Sequence, residues 1–212
     1  MVSLLILDLD DTVFLTKSIE PSLFDPAFGI IKSYYDQGKS NYLLDELTSA
    51  LWTKPMDVGF TTYSTPENVI SEFYSQIRKI DFSALNINPF KDYEELKSLP
   101  QTKILVTTGF EELQAGKINA LDIASDFDSI FIDDPQYKPR RHKLDIFKQI
   151  LIDTSLPPHQ ICVIGDNPDS EIKAGHQLGM KTIQRRSESK EISGVADHVI
   201  ESFEELNIIL NL

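Results

Sequence analysis

The sequence predicts a doubly wound parallel α/β sheet, on three observations. Short apolar runs at residues 4–9, 104–107, 129–132 and 161–164, with weaker ones at 181–184 and 198–200, suit strands covered on both faces. Segments with apolar residues three to four apart follow the later runs, at 110–123, 143–152, 171–178 and 203–210, and read as helices. Strand and helix alternate, which is the pattern of a parallel sheet wrapped on both sides. Ligands of such sheets bind outside the carboxyl ends of the strands.

One interval breaks the rhythm. Between Val13 and about Phe90 no strand pattern appears, and helices are expected at about 26–37, 41–52 and 66–80. The last has Thr65 as the expected N-cap, Pro66 at the first helical position, and Val69, Ile70, Phe73, Ile77 and Ile80 along one stripe. The chain therefore divides into a sheet-forming part, residues 1–14 and 91–212, and a small helical domain, residues 15–90, over the carboxyl edge of the sheet. The helical part carries Lys17, Tyr34, Tyr35, Lys39, Trp52, Lys54 and Tyr63. Residues 56–63, with Gly59, are the candidate specificity loop, and the polar stretch 185–194 is a surface loop.

Composition narrows the partners. Of the 212 residues 20 are Lys or Arg and 33 Asp or Glu, a formal charge of −13 that argues against a nucleic-acid polymer and against an anionic membrane surface. The single cysteine, Cys162, lies in an apolar run, cannot form an internal disulfide and reads as a core residue. The apolar start of the chain is broken by Asp8, with no basic lead-in and no cleavage pattern, so a soluble cytoplasmic protein is expected.

The chemistry sits at the ends of three runs. The first ends in Asp8-Leu-Asp10-Asp11-Thr12. Side chains alternate along a strand, so Asp8 and Asp10 project to one side, where two close carboxylates need a proton or a cation between them. One can then serve as nucleophile and the other as proton donor beside a divalent ion. Asp11 or Thr12 can also simply cap a following helix. The second run ends in Thr107-Thr108-Gly109-Phe110, which offers a hydroxyl and backbone N–H groups to an oxyanion at a helix start, and equally makes an ordinary capped turn. The fourth ends in Gly165-Asp166-Asn167-Pro168-Asp169-Ser170-Glu171, a set of oxygen ligands suited to Mg²⁺, with Asp169 or Ser170 as N-cap of the next helix.

This ordered set resembles the haloacid-dehalogenase superfamily, whose motifs are Asp-x-Asp-x-Thr, an apolar strand ending in Thr or Ser, a lysine, and Gly-Asp followed by a further acid. The resemblance covers nearly the whole chain outside the helical segment and implies a Rossmann-like core with a cap domain. It implies that Asp8 attacks phosphorus and carries a transient aspartyl phosphate, and that Asp10 protonates the leaving oxygen and then activates water. Thr107, with Thr108 and Gly109, would hold a phosphoryl oxygen. Mg²⁺ would be bound by Asp166, the Asp8 carboxylate and the Asp10 backbone carbonyl. Glu171 stands where the family usually has Asp, and so either binds metal, acts through water or orients a lysine. For the lysine there are two candidates. Lys138-Pro139 matches in letters, while Lys143 has the better spacing to Ile146-Phe147. The function implied is a Mg²⁺-dependent phosphatase of a small phosphorylated metabolite, such as a nucleotide or sugar phosphate. The alternatives are a phosphomutase of the β-phosphoglucomutase type and a non-catalytic phosphate- or partner-binding module.

Overall fold

Strand β1 (Leu4–Leu7) is buried at all four positions, so both of its faces must be covered. A computed structural model, which describes residues 1–36, 41–82 and 85–210, shows how. β1 pairs in parallel with β2 (Thr102–Thr108) on one side and β4 (Ile161–Gly165) on the other. β3 (Ser129–Asp133) lies beyond β2, while β5 (Lys181–Arg185) and β6 (His198–Ile200) lie beyond β4, giving the order β3-β2-β1-β4-β5-β6. All six expected strands form, the first ending at Leu7. Strand order reverses beside β1, so a crevice opens between the carboxyl ends of β1 and β4.

The period-2 geometry of β1 divides the core. Leu4 and Ile6 pack with Ile104, Val106 and Val163 against Ile146, Phe147 and Ile150 of α7 (Lys143–Thr154) and Ala174 of α8 (Lys173–Gln177). Leu5 and Leu7 face the other way, with Leu105 and Ile164, toward α5 (Tyr93–Ser98), α6 (Glu111–Ala120) and α9 (Leu206–Ile209). Helix α5 has no counterpart among the expected helices. Cys162 is fully buried in this second core, and burial pushes its thiol up to about 12, so it stays a protonated core residue. No helix among the described residues is long and apolar enough to cross a membrane.

The α-helices among the described residues of 15–90 are α1 (Asp25–Tyr35), α2 (Asn41–Thr53), α3 (Met56–Thr62) and α4 (Glu67–Ile77). The expected end of the first helix at Gln37, and Lys39, lie outside the described residues. The segment leaves and rejoins the sheet side by side: Phe14 bridges Pro89, and Phe90 N–H donates to the Val13 carbonyl at 2.9 Å. Its aromatics pack on one another. Trp52 meets Phe24 edge-on at 5.1 Å and stacks on Phe28 at 5.8 Å, and the Tyr35 hydroxyl donates to the Tyr63 carbonyl at 3.4 Å.

Four local expectations are corrected. Residues 56–63 are not a loop but helix α3 with Tyr63 as its C-cap, because Phe60 and Gly59 are buried against the neighbouring helices, with Leu51 close to Gly59. Thr65 is not an N-cap; Pro66, extended at ψ 146°, precedes the first helical residue, and the buried Thr65 hydroxyl has no partner. Before α8 the cap is Asn167, whose side chain accepts from Asp169 N–H at 3.0 Å, and it opens a π-helical turn at Pro168–Ile172. Arg185 is not on a surface loop. It ends β5, buried between the rings of Phe90 and Phe203 at 4.2 and 4.3 Å from their centroids, and donates to both Asp92 oxygens at 3.0 and 3.1 Å. Asp92 also accepts from Phe203 N–H at 2.8 Å, so this pair joins the segment before α5 to the carboxyl-terminal end of the chain.

Breaking such a pair takes the cation from a half-buried carboxylate, leaving it the Phe203 N–H, and removes a flat cation from between two rings. Arg185→Ala is expected to lower stability by about 3–5 kcal/mol in urea denaturation, and Arg185→Lys to recover only part of it, since an ammonium lacks the stacking plane. A loss under about 1 kcal/mol would mean the pair is an ordinary surface contact.

Candidate active site

The carboxyl ends of β1 and β4 bring three acids together. Asp8 follows β1, Asp166 follows β4, and Glu171 comes back from the π-helical turn. All three are buried, and one carboxylate oxygen of each lies within 4.8 Å of those of the other two. A single ammonium stands among them: Lys143, at the start of α7, lies 2.7 Å from Asp8 Oδ1 and donates to Glu171 Oε2 at 2.8 Å. Three carboxylates against one cation leave an excess of about two negative charges in a volume that water does not screen. Burial, aided by the charge of Glu171 and resisted by Lys143, pushes the Asp8 carboxyl up to about 7. Burial, with Glu171 and Asp8 adding to it, pushes Asp166 up to about 8 even though the Ser187 hydroxyl donates to its Oδ2 at 2.9 Å. For Lys143 burial works against the charge, but Asp8 and Glu171 outweigh it and hold the ammonium well above its usual range.

This donor set fits a divalent cation. It is all-oxygen, its charge excess matches, and among the described residues Asp8 Oδ2 and Asp166 Oδ1 have no hydrogen-bond donor. Glu171 differs from the other two, because its oxygens are engaged by Lys143 and by the Asn167 N–H at 2.6 Å. It has little room to move, since its side chain fills the space that a Cβ on Gly165 would need.

Asp10 is near but separate. β1 has already ended at Leu7, and Asp8 and Asp10 have different hydrogen-bond and ion-pair partners although each still feels the other's charge. Asp10 Oδ1 accepts from Lys117 Nζ at 2.7 Å and from the Thr16 hydroxyl at 3.1 Å, while Oδ2 accepts from Gln114 Nε2 at 2.8 Å. Burial pushes this carboxyl up, but the Lys117 charge and these hydrogen bonds outweigh it and hold it below the usual range. Its carboxylate is not one of the three that converge on the cation position. Asp11 is not the N-cap of the 3-10 turn that follows, which is Leu15, but its Oδ1 accepts from Thr16 N–H at 2.9 Å. The Thr12 hydroxyl is buried and unpartnered.

The phosphate-binding residues expected at the end of β2 divide. Thr107 is fully buried and accepts from Gln114 Nε2 at 2.5 Å. Thr108 and Gly109 are corrected: the Thr108 hydroxyl donates to Asp133 Oδ2 at 3.0 Å and the Gly109 N–H to the Asp133 carbonyl at 3.1 Å. At the α6 N-terminus Glu111 N–H donates to Asp134 Oδ2 at 2.9 Å. Three donors that an oxyanion would use there are therefore taken, two by carboxylates and one by a backbone carbonyl. Lys138 is corrected too. It is exposed in the loop after β3, whereas Lys143 reaches Asp8 because the first turn of α7 points into the crevice.

Gln114, Lys117, Asp133 and Arg140 were not expected. Gln114 and Lys117 do have a sequence signal: they lie four and seven residues after Phe110, on the stripe of Leu113, Ile118 and Leu121, where two polar residues interrupt an apolar face. Arg140 donates to both oxygens of Asp133 at 2.9 and 2.7 Å and to Asp57 of α3 at 2.5 Å, joining the helical segment to the end of β3. Nothing in the spacing of residues 57, 133 and 140 signals this contact. On the opposite side, Lys17 pairs with Glu188, and Ser189 donates to Asp11 Oδ2 at 3.1 Å.

Comparison with known proteins agrees with this geometry. Residues 5–184 match the family of haloacid dehalogenase-like hydrolases. Enolase-phosphatase E1 of Aquifex aeolicus is 44% identical over 62 residues, 29% of this chain and 27% of that protein, so the match spans about a quarter of that relative's length. Among solved structures, CbbY from Rhodobacter sphaeroides, in complex with phosphate, is 16% identical with a TM-score of 0.72 over 100% of both chains. The hydrolase YfnB from Bacillus subtilis, bound to magnesium, is 15% identical with a TM-score of 0.63 over 100% of this chain and 99% of that one. At such identities these two structures speak for the fold. Matched along most of its length, with the motif acids gathered at the ends of β1 and β4, this chain belongs to the haloacid dehalogenase-like hydrolases.

Proposed function

We propose that the protein is a Mg²⁺-dependent phosphatase that hydrolyses a small phosphomonoester, such as a nucleotide or sugar phosphate, through an aspartyl phosphate on Asp8. The observation that carries this reading is the different treatment of two neighbouring carboxyls: Asp8 stands with Lys143 beside Asp166, while Asp10 is held apart by Lys117 and Gln114. A cation bound beside Asp8 and Lys143 would hold Asp8 ionised, as a nucleophile must be, and leave the Asp10 carboxyl outside the metal position for proton transfer. Asp8, Asp166 and the Asp10 carbonyl are the proposed holders of Mg²⁺, with Glu171 adding charge and orienting Lys143. Bound there, the cation would neutralise charge on the phosphoryl oxygens and on the Asp8 carboxylate.

In the first half-reaction an Asp8 oxygen forms a bond to phosphorus as the bond to the leaving oxygen breaks, and Asp10 supplies that oxygen with a proton that it takes up against the preference of Lys117 for its ionised form. In the second, water attacks phosphorus, its proton passes to Asp10, and the bond to Asp8 breaks. The ionised form that Lys117 favours is the one that takes the water proton. Thr107 and Lys143 contribute donors to the phosphoryl oxygens, which such a transition state chiefly requires. Residues 15–90 serve as the cap that closes over the crevice and excludes water. The partner is a small phosphorylated metabolite met in the cytoplasm, not a nucleic-acid polymer or a membrane.

With Mg²⁺ and an aryl phosphate, Asp8→Asn is expected to reduce turnover by at least about 10³-fold; equal turnover by both proteins would sink the mechanism. Free phosphate accumulating in proportion to substrate lost distinguishes a phosphatase from a phosphomutase. Thermal melts supply a second test. Asp8 and Asp166 have folded values near 7 and 8, above the unfolded value of 3.8, so without a cation their stabilisation is full below that value and lost as pH rises through 7 to 8. A cation replaces those protons. Mg²⁺ at a hundred times its dissociation constant should therefore raise Tm by about 5–10 °C at pH 8.5, much less at pH 6, and little at either pH in Asp166→Asn. A shift independent of pH, or kept in that variant, would remove the cation from this site.

A further inference from the structure

Gln114 is almost fully buried on the first turns of α6, and its amide joins two groups of the proposed site. Nε2 has two hydrogens. Its short contacts are with Asp10 Oδ2 at 2.8 Å and Thr107 Oγ1 at 2.5 Å, while the Thr108 carbonyl is farther, at 3.3 Å. The direction of the amide follows from Asp10. With Lys117 on its other oxygen the carboxylate can only accept, so the nitrogen of Gln114 must face it. The same nitrogen then donates to Thr107, which must accept.

A threonine hydroxyl carries one hydrogen. Supplied with a donor from the α6 side, Thr107 has to direct that hydrogen elsewhere, and among the described residues it donates to none. The hydroxyl is thus preset as a donor at the carboxyl end of β2, on the strand next to β1 and Asp8. Two further facts set Gln114 apart from a structural residue. Its Oε1 is buried with no partner, so only half of the amide is satisfied. Its side chain also lies 2.8 Å from where a Cβ on Gly109 would be, so the loop after Thr108 is shaped around it.

We propose that Gln114 is a positioning residue that fixes the Thr107 hydroxyl as a hydrogen-bond donor to a phosphoryl oxygen and links it to Asp10 through one amide. This rests on the phosphatase reading above. Phosphoryl oxygens only accept, so a hydroxyl free to rotate would have to be reoriented when substrate binds, whereas a preset one would not.

A double-mutant cycle tests this, using Mg²⁺-dependent hydrolysis of an aryl phosphate and inhibition by inorganic phosphate, with melting curves to keep the comparison among folded proteins. Thr107→Val and Gln114→Met should each lower kcat and weaken phosphate inhibition by about 10- to 100-fold, and the double variant should be no worse than Thr107→Val. In a Thr107→Ser background, which keeps the hydroxyl, Gln114→Met should still cost activity. Gln114→Glu, nearly the same size, should lose at least as much, because a carboxylate turns the Thr107 hydrogen away from substrate; this variant also serves if Gln114→Met does not fold. Losses that multiply in the double variant, or a folded Gln114 variant with unchanged kcat and phosphate inhibition, would overturn the proposal alone. Wild-type protein that neither hydrolyses the ester nor binds phosphate would overturn the phosphatase reading and this proposal with it.

Discussion

Lys143 bridges two of the acids gathered at the ends of β1 and β4, and the surrounding backbone is shaped to deliver them to it. Its ammonium lies within 2.8 Å of both Asp8 and Glu171, and the other oxygen of Glu171 accepts from the Asn167 N–H. That second contact draws residues 167–172 into a π-helical turn instead of a direct entry into α8, and it brings Glu171 so close to Gly165 that no side chain fits there. A Glu at this position has the reach to span from the turn to the lysine. Removing the lysine would leave three buried carboxylates with no cation, which such a site tolerates only by taking up protons or a metal.

The same logic governs how the helical segment meets the sheet. Arg140 satisfies Asp133 with two hydrogen bonds and Asp57 with a third, and Asp133 in turn receives the Thr108 hydroxyl and, through its carbonyl, the Gly109 N–H. The position of α3 and the shape of the loop after β2 therefore share one guanidinium. Residues 187–190 fasten the opposite side, where Lys190 donates to the Thr53 carbonyl at 3.0 Å and Ser187 to Asp166. Of the four buried basic residues of this acidic chain, Lys117, Lys143 and Arg185 are each spent on a buried or half-buried acid, and Lys103 is spent on the Leu99 and Gln101 carbonyls. Net charge thus describes the surface of the protein more than its crevice.

Much of the fold was legible because burial on two faces writes itself into composition. All six strands stand near their expected positions, since an interior parallel strand must be apolar at successive residues. Helices with a clear stripe, such as α4 and α7, were equally plain. Helix α3 was hidden by its Gly59 and its short length, and α5 by having few apolar residues to set a period. At the site, Asp8, Asp10, Thr107 and Asp166 were readable from their places after apolar runs. The choice between Lys138 and Lys143 was not, because both follow β3 and only the start of α7 separates them.

What the sequence determined by itself is the sheet, the helical interruption after its first strand, and the acids that leave β1 and β4, because these follow from local periodicity and from where each apolar run stops. Tertiary structure alone decided the partners of those acids. Asp8 and Lys143 are 135 positions apart, Asp10 and Lys117 are 107, and Asp57 and Arg140 are 83, so nothing local in the chain sets their pairing. The strand order β3-β2-β1-β4 brings the amino ends of α6 and α7 to the same edge, and the scarcity of cations there leaves Asp8 and Glu171 to share one lysine and Asp166 with none among the described residues.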